Sequence, residues 1–97
     1  MEAVSTGYIC PACGFDDLDE PPWEGKRSSL EICPSCGIQF GYTDDAGGDP
    51  RAREELHKEW REAWIRGGMK WSSPGQTPPP NWDPVRQVSR VSPEAGV

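Results

Sequence analysis

The sequence predicts a small metal-stabilised α+β fold. Paired cysteine knuckles with short antiparallel strands occupy residues 7–42, one amphipathic helix about 49–67, and a proline-rich strap 71–84. Three observations predict it. All four cysteines fall in two copies of one phrase, ICPACGF at 9–15 and ICPSCGI at 32–38. Apolar residues recur at helical spacing between Asp49 and Gly67. Three consecutive prolines follow, with Trp71 before them and Trp82 after. Residues 1–6 read as a flexible N-terminus and 85–97 as a short helical or disordered tail, which makes 7–84 a single domain.

The composition explains why such a domain needs a metal. Ile, Leu, Val and Phe together number 14 of 97 residues. That is below the roughly 20% under which a charged chain usually stays disordered. Five tryptophans, each able to bury a large area, and the cysteine staple offset this poverty.

The knuckles come first. Cys10 and Cys13 are separated by two residues, as are Cys33 and Cys36, and nineteen residues lie between the pairs. This is the C-x2-C…C-x2-C spacing of a zinc site, because two cysteines three apart in a tight loop can turn both sulfurs toward one point. Two such loops facing each other present four thiolates as a tetrahedron. Pro11 and Pro34 fix φ where each turn begins, and Gly14 and Gly37 follow the second cysteine, where a positive φ is expected. Ile9, Ile32, Phe15 and Ile38 are expected to shield the site. One Zn2+ per chain is the expected ion, and iron is the alternative, since paired CPxCG loops resemble those of rubredoxins. A set of four cysteine ligands closes the coordination shell, so a structural role is expected and no enzyme activity. His57 reads as a solvent-facing helix residue.

Strands are expected at 7–9 and 38–42, with 28–32 as a third candidate. Pro21-Pro22 blocks a helix between the knuckles, and Trp23 is expected to fold back over the site. Asp49 is a good N-cap, Pro50 a good first residue and Gly67-Gly68 a good stop. Ala52, Leu56, Trp60, Ala63 and Trp64 form one apolar helix face, which docks on the ribbon or serves as a partner surface. The triple proline predicts an extended strap anchored by Trp71 and Trp82. Asp83-Pro84 can start one short helix.

Charge narrows the function classes. Residues 1–49 carry ten acids and two bases, and residues 50–97 carry six acids and eight bases. The cysteine half is therefore the acidic half, which makes nucleic-acid binding through it unfavourable. A protein partner, with a basic surface meeting Asp16, Asp17, Asp44 and Asp45, is expected instead. No run approaches the ~18 apolar residues of a membrane span, and MEAVSTGY is not a signal peptide, so a cytoplasmic protein is expected. The reading is a non-catalytic protein-interaction module. An iron electron carrier and a nucleic-acid adaptor are the alternatives.

The run YICPACGFDDLDEPPWEGKRSSLEICPSCGIQFGYTDD, with EWREAWIRGGMKW and PPPNWDP after it, resembles the small bacterial cysteine-rich proteins of the CPCC type over about residues 7–84. Their pattern runs Y-x-CPxCG-x-x-x-L-x-EPP, then S-x-EICPCCG-x-x-FGYDD, then a Trp-bearing helix and a segment like KPPxNW. This chain departs from it at Ser35, where the family often has a fifth cysteine. The resemblance implies a zinc-ribbon-like fold in a bacterial cytosolic protein. It also implies, through relatives linked with toxin–immunity systems, an inhibitor that binds a toxin.

Overall fold

A computed structural model describes residues 7–92. The expected flexible N-terminus, 1–6, and the end of the expected tail, 93–97, lie outside the described residues. The elements are a two-stranded antiparallel hairpin, β1 (Trp23–Glu24) and β2 (Arg27–Ser28), the main helix α1 (Pro50–Arg66) and a short helix α2 (Pro84–Val88).

The strands differ from the expected ones. Each knuckle closes through a single bridge pair, Tyr8 with Leu18 and Ile32 with Gln39, and extends no further. The first arm leaves at once into the Pro21-Pro22 run, which lacks the N–H groups a ladder needs. The second arm turns back on itself, with Tyr42 N and Thr43 N both donating to Gln39 O. The regular pairing falls instead between the knuckles. There Trp23 opposes Ser28 and Glu24 opposes Arg27 around the turn Gly25-Lys26.

The helix caps follow from local chemistry. The Asp49 side chain accepts from Arg51 N at 3.0 Å, Pro50 occupies the first turn where no N–H is needed, and Gly67 N closes on Ala63 O. Asp83 caps α2 in the same way, accepting from Val85 N and Arg86 N at 3.1 Å each. Of the expected face of α1, Trp60 and Trp64 pack on the core and Ala52 and Leu56 are half-buried, while Ala63 is exposed. The inward side also takes in His57, which is buried, and Arg61 and Arg53, which are half-buried.

The core is built on the knuckles. Cys10, Ala12, Cys13, Phe15, Leu18, Cys33, Cys36, Ile38 and Phe40 form one buried cluster, and Trp60, Trp64 and Trp71 pack against it. Trp71 meets the edge of Phe15 at 5.7 Å and of Trp82 at 5.2 Å, which pins the strap at both ends. Phe15 and Ile38 are buried as expected, but Ile9 and Ile32 are 49% and 57% exposed. In an extended segment neighbours point to opposite sides, so turning Cys10 and Cys33 inward turns the preceding isoleucines outward. The segment after residue 84 is likewise no mere tail. Gln87 and Val88 of α2 are buried.

Candidate metal centre

Each knuckle is the same hydrogen-bonded turn. Cys10 N donates to Phe15 O and Gly14 N to Cys10 O; in the second copy Cys33 N donates to Ile38 O and Gly37 N to Cys33 O. The outgoing arms differ by one residue, since Tyr8 pairs with Leu18 whereas Glu31 O accepts from Phe40 N. Gly14 and Gly37 stand at φ +87° and +82°, the left-handed region that an L side chain resists. Neither has room for a side chain. A Cβ on Gly14 would strike Gln87 O of α2, and one on Gly37 would come within 2.6 Å of Ser72 Oγ in the strap. Each knuckle glycine is thus the floor on which a later segment lies.

The two turns bring the four sulfurs together. One ligand atom from each cysteine lies within 4.8 Å of every other. Cys10 Sγ and Cys36 Sγ are 3.9 Å apart, and Cys13 Sγ and Cys33 Sγ 3.6 Å. A tetrahedral metal–sulfur length of about 2.3 Å implies sulfur–sulfur edges of about 3.8 Å. The observed pairs bracket that value, so the four clustered cysteines can hold one metal ion. None is disulfide-bonded, and none is more than 6% exposed.

The electrostatics favour a cation there. Burial pushes the Cys10 thiol well above its ordinary range, and Cys13 and Cys33 add to the rise. Hydrogen bonding with Cys10, Cys13 and Cys33, and then burial, push Cys36 up as well. Cys13 is drawn far below the thiol range because hydrogen bonds from Cys10, Cys33 and Cys36 converge on its sulfur, with the Phe15 amide assisting. One thiolate is thereby stabilised by its neighbours' S–H groups. Four thiolates in one buried volume need a multivalent cation.

Side chains far away in sequence clamp the knuckles together. On one side α1 holds both. Trp60 Nε1 donates to Cys36 O at 3.1 Å, and the Arg61 guanidinium donates to Ala12 O at 2.8 Å and Pro11 O at 3.0 Å. On the other side Gln87 Nε2 donates to Cys13 O and to Ser35 Oγ, so one amide spans both turns. Arg90 Nη1 reaches Gly14 O at 2.8 Å, and the strap donates Ser72 N and Ser73 N to Pro34 O. Sequence reasoning missed Arg61, Gln87 and Arg90, because a polar residue carries no spacing that points to a partner about fifty or more positions away.

The acids expected on the surface separate into different environments. Asp17 and Asp45 are exposed, and Asp16 is half-buried beside Arg90 at 3.4 Å. Asp44 is fully buried, which corrects its expected place on a partner-binding face. Its Oδ1 accepts from Gly41 N at 2.7 Å and its Oδ2 from Trp23 Nε1 at 2.8 Å, with His57 Nε2 at 2.6 Å from the same oxygen. His57 is correspondingly buried at 7% exposure and faces inward rather than solvent. Trp23 folds onto this pair and under the Arg53 guanidinium, 3.7 Å from its ring centroid, rather than over the cysteines.

No helix among the described residues is long and apolar enough to cross a membrane. No family model matches the chain, and no solved structure matches it. Two proteins of Bacillus subtilis strain 168 are similar to it. The uncharacterised protein YozI is 26% identical over 81 residues, covering 73% of this chain and 67% of YozI. The uncharacterised protein YoaQ is 30% identical over 86 residues, covering 77% of this chain and 71% of YoaQ. With that identity over that share of both chains, the protein belongs to the family of YoaQ.

Proposed function

We propose that the chain is a non-catalytic protein-interaction module organised by one structural zinc ion on Cys10, Cys13, Cys33 and Cys36. The observation that carries this reading is the closed site: four sulfurs at tetrahedral spacing, each nine-tenths or more buried. Such a set leaves no coordination position for water or substrate. It makes a zinc ribbon of the CPCC type the reading that accounts for both repeated phrases, with a cytoplasmic setting in which thiolates stay reduced. The binding surface has two components. Asp17, Asp19, Glu20 and Asp45 are exposed acids suited to a basic protein, a toxin held by an immunity-like inhibitor among them. Leu30, Ile32 and Tyr42, on the arms of the second knuckle, are large apolar side chains left in solvent.

Elemental analysis of untagged protein purified without added metal is the test. About one zinc per chain and a colourless solution support the reading. Iron, in a red sample bleached by reductant, replaces it with an electron carrier. Capture from the native host that recovers a basic protein, lost on Asp17→Lys with Asp45→Lys, supports the interaction role. Salt-dependent retention of RNA or DNA instead would overturn it.

A further inference from the structure

A cleft of about 480 Å³ lies away from the cysteines, where the first knuckle, the β1 hairpin and the first turns of α1 meet. That volume falls in the range of small-molecule sites. One side is apolar and flat, made by Ile9, Pro11, Pro22 and Trp23. The other comes from α1 and is polar, with Arg51, Arg53, Glu54 and His57.

His57 is the informative residue. It is more than nine-tenths buried and lines the cleft. Its Nε2 is fixed on the Asp44 carboxylate, which can only accept, so Nε2 carries the proton. Its other nitrogen, Nδ1, makes no hydrogen bond to protein among the described residues and is not sealed from solvent. Two guanidiniums share the cleft with it. Arg53 is held over the Trp23 ring, and neither Arg51 nor Arg53 has a carboxylate within ion-pair distance among the described residues. Glu54 is the one acid in the lining, and Asp44 lies behind the imidazole. Two guanidiniums and an imidazole backed by a buried carboxylate share the cleft with one acid, in a chain whose net charge is -6.

We propose that this cleft is a binding site for a small carboxylate carried on a flat apolar body. Arg51 takes the carboxylate, since a guanidinium matches it in a two-pronged bond. His57, held on Asp44, forms the buried polar end of the cleft beside the two guanidiniums. The apolar body lies against Pro11, Pro22 and the Arg53–Trp23 stack. Glu54 opposes the anion and sets the strength of binding.

The test is an NMR titration of the metal-loaded full chain with benzoate, and in parallel with benzamide, which is the same shape without the charge. The expected result is saturable shifts of the Trp23 indole N–H and of the Arg51, Arg53 and His57 amides, with Kd of about 1 mM or below. Benzamide should bind at least about tenfold more weakly. Arg51→Gln, at an exposed position that does not threaten the fold, should weaken benzoate by about tenfold, and Glu54→Gln should tighten it. Non-saturating shifts spread over all surface cations, equal binding of benzamide, or an unchanged affinity in Arg51→Gln would each overturn the proposal.

Discussion

Asp44 is the residue on which most local structure converges. Its carboxylate satisfies Gly41 N from the second knuckle, the Trp23 indole from the hairpin and His57 from α1. Three elements share one buried anion, so removing it strands three donors at once. Asp44→Ala should therefore lower the stability of the metal-loaded protein by about 3 kcal/mol, the range seen when one partner of a buried charged network is lost. Asp17→Ala, at an exposed acid, should leave the denaturation midpoint nearly unchanged. Equal midpoints for the two variants in urea would refute the assignment. Gly14 is the second such residue. Gly14→Ala combines a left-handed φ with a collision against the Gln87 carbonyl of α2. It should cost more than the roughly 1 kcal/mol of a left-handed alanine alone, because α2 must move off the knuckle. Loss of the protection of the Val88 amide in hydrogen exchange would report that movement, and full protection would count against it.

The elements show what a sequence can and cannot disclose. Both helices begin where Asp-Pro stands, and α1 stops at Gly67, because caps are settled between residues two or three apart. The knuckles were legible for the same reason, since each is a closed loop of six residues from Cys10 to Phe15 or Cys33 to Ile38. What joins these elements was not legible. The inward face of α1 includes Trp60 and Trp64 of the apolar period, but also His57 meeting Asp44 and Arg61 meeting Ala12 O, which no apolar period marks. A polar residue that docks a helix by hydrogen bonding to a distant carbonyl looks, in sequence, like any solvated one. The short helix α2 makes the point sharply. It carries Gln87, whose amide ties Cys13 O to Ser35 Oγ, and Val88, which is fully buried. Gln87→Ala should cost about 1–2 kcal/mol, since it leaves the buried Ser35 hydroxyl without its partner. Only the share due to the Ser35 hydroxyl should disappear in a Ser35→Ala background, since the bonds of Gln87 with Cys13 O and Trp82 Nε1 are lost in either case, and a double-mutant cycle in urea measures that share.

At the scale of the whole molecule, the cysteine cluster is both the centre of the core and its least self-sufficient part. The buried side chains are few, and four of them are the cysteines themselves. Both helices and the strap are fastened to the carbonyls of the knuckles, through Cys36 O, Ala12 O, Cys13 O and Pro34 O. Metal binding and folding should then be one event, so a strong chelator should abolish the amide dispersion of α1 and α2 together with that of the knuckles. The pH dependence follows from the thiols. In the folded cluster burial raises the pKa of Cys10, hydrogen bonding with its neighbours raises that of Cys36, and hydrogen bonds to its sulfur lower that of Cys13. A metal must displace the protons of the raised thiols, so its affinity should fall as pH is lowered through the neutral range. Unfolded thiols are also protonated there, so unfolding of the metal-free chain only steepens the slope. Competition with a chromophoric chelator between pH 6 and about 8 gives the slope directly. A value near zero would mean that the sulfurs are not the ligands.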